Sequence, residues 1–208
     1  MEDVLEVYHR PYKPDRPQVC LDEISKQLVA ESRPSVPMRR GRCKRVDPEY
    51  RRCGLASVFM LSEPLAGRRY VRVRLRRTQL DFAEVICELC DELYPDAEKI
   101  VLVMDNLNTH TIASLYEAFE PAMARRLTEK LEIHYTPKHG SWLNMAEIEF
   151  SVFSRTCLHQ RIPDEASLKR HLHALVNERN TRQATVNWQF TCDDARIKLK
   201  RLYPSYSD

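Results

Sequence analysis

Ile100-Val101-Leu102-Val103-Met104 is the longest uninterrupted aliphatic run in the chain, and it stops abruptly at Asp105-Asn106. A run this short and apolar, preceded by Lys99 and followed by Asn106, Asn108 and Thr109, reads as a strand buried on both faces. Such a strand requires a sheet covered by other elements. It also delivers Asp105 to the end of that sheet, where a carboxylate is costly unless something pairs it. The pattern recurs in Val19-Cys20-Leu21-Asp22-Glu23, and a third acid, Glu147, opens a later helix. Three separated carboxylates are therefore available to converge on metal ions.

The rest of the pattern fixes the fold class. Residues 1–17 read as a short helical start and then a segment broken by Pro11, Pro14 and Pro17, the remnant of a linker. A first strand is expected over Val19–Leu21, followed by a long basic connection over residues 31–54. A second strand is expected over Ser57–Leu65 and a third over Arg68–Arg77. In the third, Tyr70, Arg72, Arg74 and Arg76 alternate with Val71, Val73 and Leu75, giving one apolar and one basic face. Phe82, Val85, Ile86, Leu89 and Leu93 recur at helical spacing. After the strand at Ile100–Met104, residues 112–130 read as helix interrupted at Pro121, and Leu131, Ile133 and Tyr135 mark a fifth strand. Helices are expected over Asn144–Leu158, Asp164–Arg179 and Asp193–Leu202. Three hairpin-connected strands followed by alternating helices and strands imply an α/β fold, a mixed five-stranded sheet flanked by helices. The expected division is a linker remnant at 1–17, a domain built on the sheet at 18–180 and a helical extension at 181–208.

Composition narrows the class. At 208 residues the chain can bury one hydrophobic core without staples. The net charge of +3 says little, but its distribution says more. Arg39, Arg40, Arg42, Lys44 and Arg45 crowd one segment, as a phosphate-facing surface does. No run is long enough to span a bilayer, the acidic start is no secretory signal, and seven scattered cysteines fit a reduced compartment, so a cytoplasmic location without membrane partners is expected.

Each acid has a structural alternative. Glu147 stands three residues after Asn144 and is placed to close a capping box, and Glu149 competes for the same role. Asp105-Asn106 can simply begin a turn, and Glu23 shadows Asp22. Spacing alone leaves these alternatives open.

Asp105-Asn106-Leu107-Asn108-Thr109-His110, followed by Tyr135-Thr136-Pro137-Lys138-His139-Gly140-Ser141-Trp142-Leu143-Asn144-Met145-Ala146-Glu147, resembles the catalytic core of bacterial insertion-sequence transposases related to the mariner elements, the DDE superfamily endonucleases. The resemblance extends upstream to Val19–Glu23 and downstream through Arg161–Asp164 and Ala195–Pro204. It implies a ribonuclease H-like fold in which Asp22, Asp105 and Glu147 are the catalytic, metal-binding acids, Glu147 being chosen over Glu149 because the family's third acid follows a Leu-Asn-x-x step. The implied cofactor is two Mg2+ ions, with Mn2+ as a substitute. The implied reaction is hydrolysis at the transposon ends followed by attack of the freed 3′-hydroxyl on target DNA. The implied partners are double-stranded DNA, at the element's ends and the target, and a second copy of the chain assembled on that DNA. Asn106, His110 and Asn144 are expected to support the acids, with an ordinary surface position the alternative for His110.

Relatives carry helix-turn-helix modules before this core, and the chain starts in what resembles the linker after them. A catalytic half, a truncated copy or the product of a split frame is expected. The functional alternative is a catalytically silent remnant that binds DNA or full-length transposase and regulates it. For DNA contact the expected residues are Arg39, Arg40, Arg42, Lys44 and Arg45 in the basic loop, Arg72 and Arg74 on the third strand, and Lys138 and Trp142 near the acids. The alternatives are a solvated charge run for the loop, a charged, non-sticky edge strand for the arginines and packing for Trp142. Cys87 and Cys90, and His159, His171 and His173, lack the further ligands that a metal would need and are expected to be structural or superficial.

Overall fold

The computed structural model describes residues 1–203 apart from 44, 46 and 139. Its strands are β1 (Gln18–Glu31), β2 (Tyr50–Glu63), β3 (Arg68–Arg74), β4 (Ile100–Met104) and β5 (Leu131–Tyr135). They form one sheet in the order β3-β2-β1-β4-β5. β1, β2 and β3 pair antiparallel, whereas β1, β4 and β5 run parallel. The helices are α1 (Glu2–Tyr8), α2 (Gln79–Glu88), α3 (Ile112–Ala118), α4 (Pro121–Lys130), α5 (Met145–Phe153), α6 (Glu165–Thr181) and α7 (Cys192–Lys198). This is the mixed, helix-flanked sheet of a ribonuclease H-like fold.

Strand alternation divides the core in two. Cys20, Val58, Met60, Val71, Val73, Val101 and Val103 face α1, α5 and α6. Val19, Leu21, Phe59, Leu61, Leu102 and Met104 face α2, α3 and α4. All five residues of β4 are buried, as a central parallel strand covered on both sides must be. Among the described residues no helix is long and apolar enough to cross a membrane.

Several elements differ from the sequence reading. β1 runs for 14 residues, well past Leu21, and β2 begins at Tyr50, well before Ser57. Beyond the core their partnership is a solvated ribbon, in which Ser25, Gln27, Arg51, Arg52 and Leu55 are exposed. Backbone pairing holds it together, and no alternation of apolar residues announces it. The connection shrinks to residues 32–49 and is itself shaped by bridges between Val36 and Arg45 and between Arg39 and Arg42.

The segment expected as a linker remnant begins with α1, whose Val4, Leu5, Val7 and Tyr8 are buried in the core. The prolines that follow it end the helix without detaching it. The C-terminal segment docks beside α1, with Ala195 fully buried and Arg196 paired to Glu2 at 2.8 Å.

The basic face of β3 is a further correction. α2 lies across it, and Arg72 and Arg74 both pair with Glu88, the latter at 2.7 Å. On the opposite face Arg69 is wholly buried against Glu149 at 2.7 Å, and Arg179 of α6 reaches the same carboxylate at 2.8 Å.

Candidate active site

Asp22 and Asp105 are set side by side by strand register. Leu21 of β1 pairs with Met104 of β4, so the next residue of each chain segment is an acid at the carboxyl end of neighbouring parallel strands. Ligands favour this edge in open α/β sheets. Asp22 is therefore at the end of the parallel pairing, although β1 itself continues along β2.

Glu147 comes from the helix packed on the face to which Asp22 points, in the first turn of α5, where the positive end of the helix dipole favours a carboxylate. Asn144 fixes that helix to the strand. Its Oδ1 accepts from the Ala146 N–H at 3.1 Å, and its Nδ2 donates to the Leu21 carbonyl at 2.7 Å. The cap and the strand next to Asp22 are thus held by one side chain. Asn144 caps through Ala146, and no reciprocal capping box involving Glu147 forms. Tyr8 adds a second tie, donating to the Leu143 carbonyl at 2.6 Å. Glu149 has both oxygens committed to Arg69 and Arg179.

His110 is fully buried, not superficial, and its Nδ1 contacts Asp105 Oδ1 at 2.5 Å. Its Nε2 faces Glu23 Oε1 at 3.6 Å, and its ring stacks on Phe82 with centroids 4.8 Å apart. Burial pushes the imidazole pKa down, but Asp105 and Glu23 outweigh it and raise it to about 9. Asn106 is exposed and makes no side-chain hydrogen bond among those described, because the chain turns it outward after β4.

The three acids feel one another's charge. Burial pushes the Asp22 carboxyl up to about 7, against a hydrogen bond from the Glu23 N–H, and the charges of Asp105 and Glu147 push it the same way. No Lys or Arg forms an ion pair with any of the three among the described residues. Nor do any three His, Cys, Asp or Glu side chains there stand close enough together to hold a metal ion between them. Asp105 is instead engaged with His110, as expected where like charges repel. The donor set itself suits a hard divalent cation, since all three side chains offer carboxylate oxygen.

A cleft of about 340 Å³ adjoins Asp105, lined also by Asn106, Thr136, Lys138 and Ser141. Lys138 is exposed there, and Trp142 is 41% exposed while packing edge-to-face on Phe190 with centroids 5.9 Å apart. Arg39, Arg40, Arg42 and Arg45 are exposed on the β1–β2 connection, whereas Lys44 lies outside the described residues. Arg72 and Arg74 stand apart from this group, neutralised under α2. Sequence reasoning named Glu23 only as a shadow of Asp22 and passed over Tyr8. Strand parity was the available signal for Glu23: it puts Glu23 on the face opposite Asp22, among apolar neighbours.

The family model for DDE superfamily endonucleases matches residues 17–169. Among solved structures, the Mos1 mariner paired-end complex with Mn is 16% identical with a TM-score of 0.59, over 88% of this chain and 55% of that one. The Mos1 strand transfer complex gives 16% identity and a TM-score of 0.59 over 88% and 54%. A pre-cleavage Mos1 transpososome gives 15% and 0.57 over 88% and 59%. The chain thus spans little more than half the length of these proteins. No curated protein sequence matches it.

Proposed function

Because this chain belongs to the DDE superfamily endonucleases, we propose that it is the catalytic domain of an insertion-sequence transposase, cleaving and joining DNA with divalent cations. The observation that carries the proposal is geometric: strand register sets Asp22 beside Asp105, and Asn144 ties the start of α5, which bears Glu147, to the same strand. Three carboxylates are held within electrostatic reach with no Lys or Arg ion-paired to any of them among the described residues.

In this reading Asp22, Asp105 and Glu147 hold two Mg2+ or Mn2+ ions. When bound, such ions would supply activation of the attacking oxygen and neutralisation of charge on the phosphate. His110 holds one oxygen of Asp105, and Asn144 keeps the start of α5 against β1, so that the acids share one edge of the sheet. Lys138 and Trp142 contact DNA beside the cleft, and the β1–β2 connection meets the phosphate backbone through Arg39, Arg40, Arg42, Lys44 and Arg45. Partners are the transposon ends, target DNA and a second copy of the chain, acting in the cytoplasm.

No protein nucleophile is required. Cys20, two residues before Asp22, is wholly buried, and burial pushes its thiol up to about 12, so it is no thiolate at neutral pH. In the first step, water oxygen forms a bond to phosphorus as the bond to the 3′-oxygen breaks. That freed 3′-hydroxyl then forms a bond to a target phosphorus as a target phosphodiester bond breaks.

The test is incubation of purified protein with Mg2+ or Mn2+ and DNA carrying the element's ends, supplied with helix-turn-helix modules in trans. Nicked or joined products are expected, and Asp105→Asn abolishes them. Wild-type protein as inert as Asp105→Asn under both metals would sink the enzymatic reading in favour of the silent alternative.

A further inference from the structure

Glu23 is a buried acid, ion-paired to Arg77, to which the proposed chemistry gives no role. Its side chain is 1% exposed, and neither carboxylate oxygen has an aligned hydrogen bond among the described residues. Buried carboxylates are costly when left in this state, and such exceptions call for a reason. The pleat of β1 sends Glu23 to the face opposite Asp22, among Leu21, Phe82 and the α2 side of the core. Glu23 therefore cannot share a ligand with its sequence neighbour. What it faces is His110 Nε2, at 3.6 Å, with the half-exposed Arg77 Nε at 3.2 Å on the outer side.

The imidazole between them is unusually confined. Phe82 stacks on one face of it. Its own backbone is pinned by the His110 N–H donating to Leu107 at 2.9 Å and by the Tyr135 hydroxyl donating to the His110 carbonyl at 3.2 Å. Nδ1 lies against Asp105 Oδ1, and the remaining polar atom, Nε2, has no hydrogen-bond partner unless Glu23 provides one. Glu23, His110 and Asp105 thus form a line from the buried interior to the sheet edge, in which each group fixes the next.

We propose that Glu23 is a positioning residue which, by anchoring His110, holds Asp105 in the orientation that accepts a divalent cation. The proposal rests on the reading of Asp105 as a metal ligand. Carboxylates that bind metals are themselves held by hydrogen bonds, and loss of such support costs about 10- to 100-fold in affinity or activity. Glu23 acts at one further remove, through the ring. Without it, Nε2 faces a buried space with no acceptor, the ring is free to turn about its own axis, and Asp105 loses a fixed donor.

Mn2+ binding to the purified protein, measured by calorimetry without DNA, tests this directly, alongside the low-field His110 ring N–H resonance and the melting temperature. Glu23→Leu keeps bulk and removes the acceptor, and Glu23→Ala replaces it if the leucine variant fails to fold. Glu23→Gln retains an acceptor for Nε2–H. The apolar variant is expected to bind Mn2+ about tenfold more weakly or worse and to lose the resonance. Glu23→Gln is expected to restore both. A folded apolar variant that binds as tightly as wild type, or a glutamine variant as impaired as the apolar one, overturns the positioning role. Wild-type protein that binds Mn2+ no better than Asp105→Asn overturns the metal-site reading, and this proposal with it.

Discussion

Asp22 and Glu149 are both partly or wholly buried acids on the α5 side of the sheet, and their environments drive them in opposite directions. For Glu149, burial pushes the carboxyl up, but Arg69 and Arg179 outweigh it and hold it below its ordinary value. A carboxyl depressed in the folded state stabilises the fold above its unfolded value near 4.5, and that contribution is lost as pH falls through the lower folded value. Glu149→Gln should therefore destabilise by about 3–5 kcal/mol at pH 7, because it leaves the wholly buried Arg69 without its counter-charge. The deficit should narrow in strong acid, as measured by denaturant titration across pH. Asp22 has the reverse sign. Its folded value of about 7 exceeds the unfolded 3.8, so the stability it lends is complete only below 3.8 and is lost as pH rises through 7. Asp22→Asn should stabilise the metal-free protein at pH 8, by about 1–2 kcal/mol after allowance for its partial exposure, while eliminating activity. No gain at pH 8 relative to pH 4 would show that the fold does not hold the Asp22 carboxyl above its ordinary value.

Among the elements, α5 is placed by its cap more than by its length. Asn144→Ala removes the cap, worth about 1 kcal/mol, together with the hydrogen bond to Leu21, worth about another. Asn144→Asp keeps the cap and loses only the donor. A larger loss of cleavage in Asn144→Asp than its melting temperature explains would show that the tie to β1 sets the position of Glu147. This cap was legible from Asn144 preceding an apolar run, and β4 and β5 were legible because buried strands leave short, β-rich runs. The β1–β2 ribbon was not, since a solvated ribbon is held by backbone pairing that leaves no period in Ser25-Lys26-Gln27. The alternating arginines of β3 misled for a different reason. A period of two reports that a face is polar, and only the packing of α2 reveals that Glu84 and Glu88 already occupy it. In the site, flanking motifs nominated the acids, whereas the Glu23 contact joins β1 to the segment after β4, adjacent in the sheet but far apart in sequence, and has no local signature. The turn between β2 and β3 offers an independent check on the packing. Gly67 has φ of +66°, and a Cβ there would stand 2.6 Å from the backbone of Gln183 after α6. Gly67→Ala should cost about 1–3 kcal/mol through strain and displacement of that backbone. A neutral effect on melting would mean that the turn and the end of α6 are not in register.

Across the whole molecule, a net charge of +3 conceals an uneven distribution that, on the proposed function, decides where DNA would lie. Arg69, Arg72 and Arg74 of β3 are spent on internal acids, whereas exposed positive charge stands on the β1–β2 connection and beside the cleft at Lys138. Phosphate contacts release counterions, and each one steepens the fall of log affinity with log salt by about 0.9 for duplex DNA. Replacing Arg39, Arg40 and Arg42 together by alanine should weaken binding to any duplex sequence and lower that slope by about 2 to 3, with little change in melting temperature, because all three are exposed. Replacing Arg72 and Arg74 should do the opposite. These side chains are half-buried and paired to Glu88, so their loss strands a carboxylate under α2 and lowers stability without altering the slope. Both measurements come from one set of salt titrations. An unchanged slope in the loop variant, with a reduced slope in the β3 variant, would mean that α2 moves aside when DNA binds and that the basic face of β3 is the true contact surface.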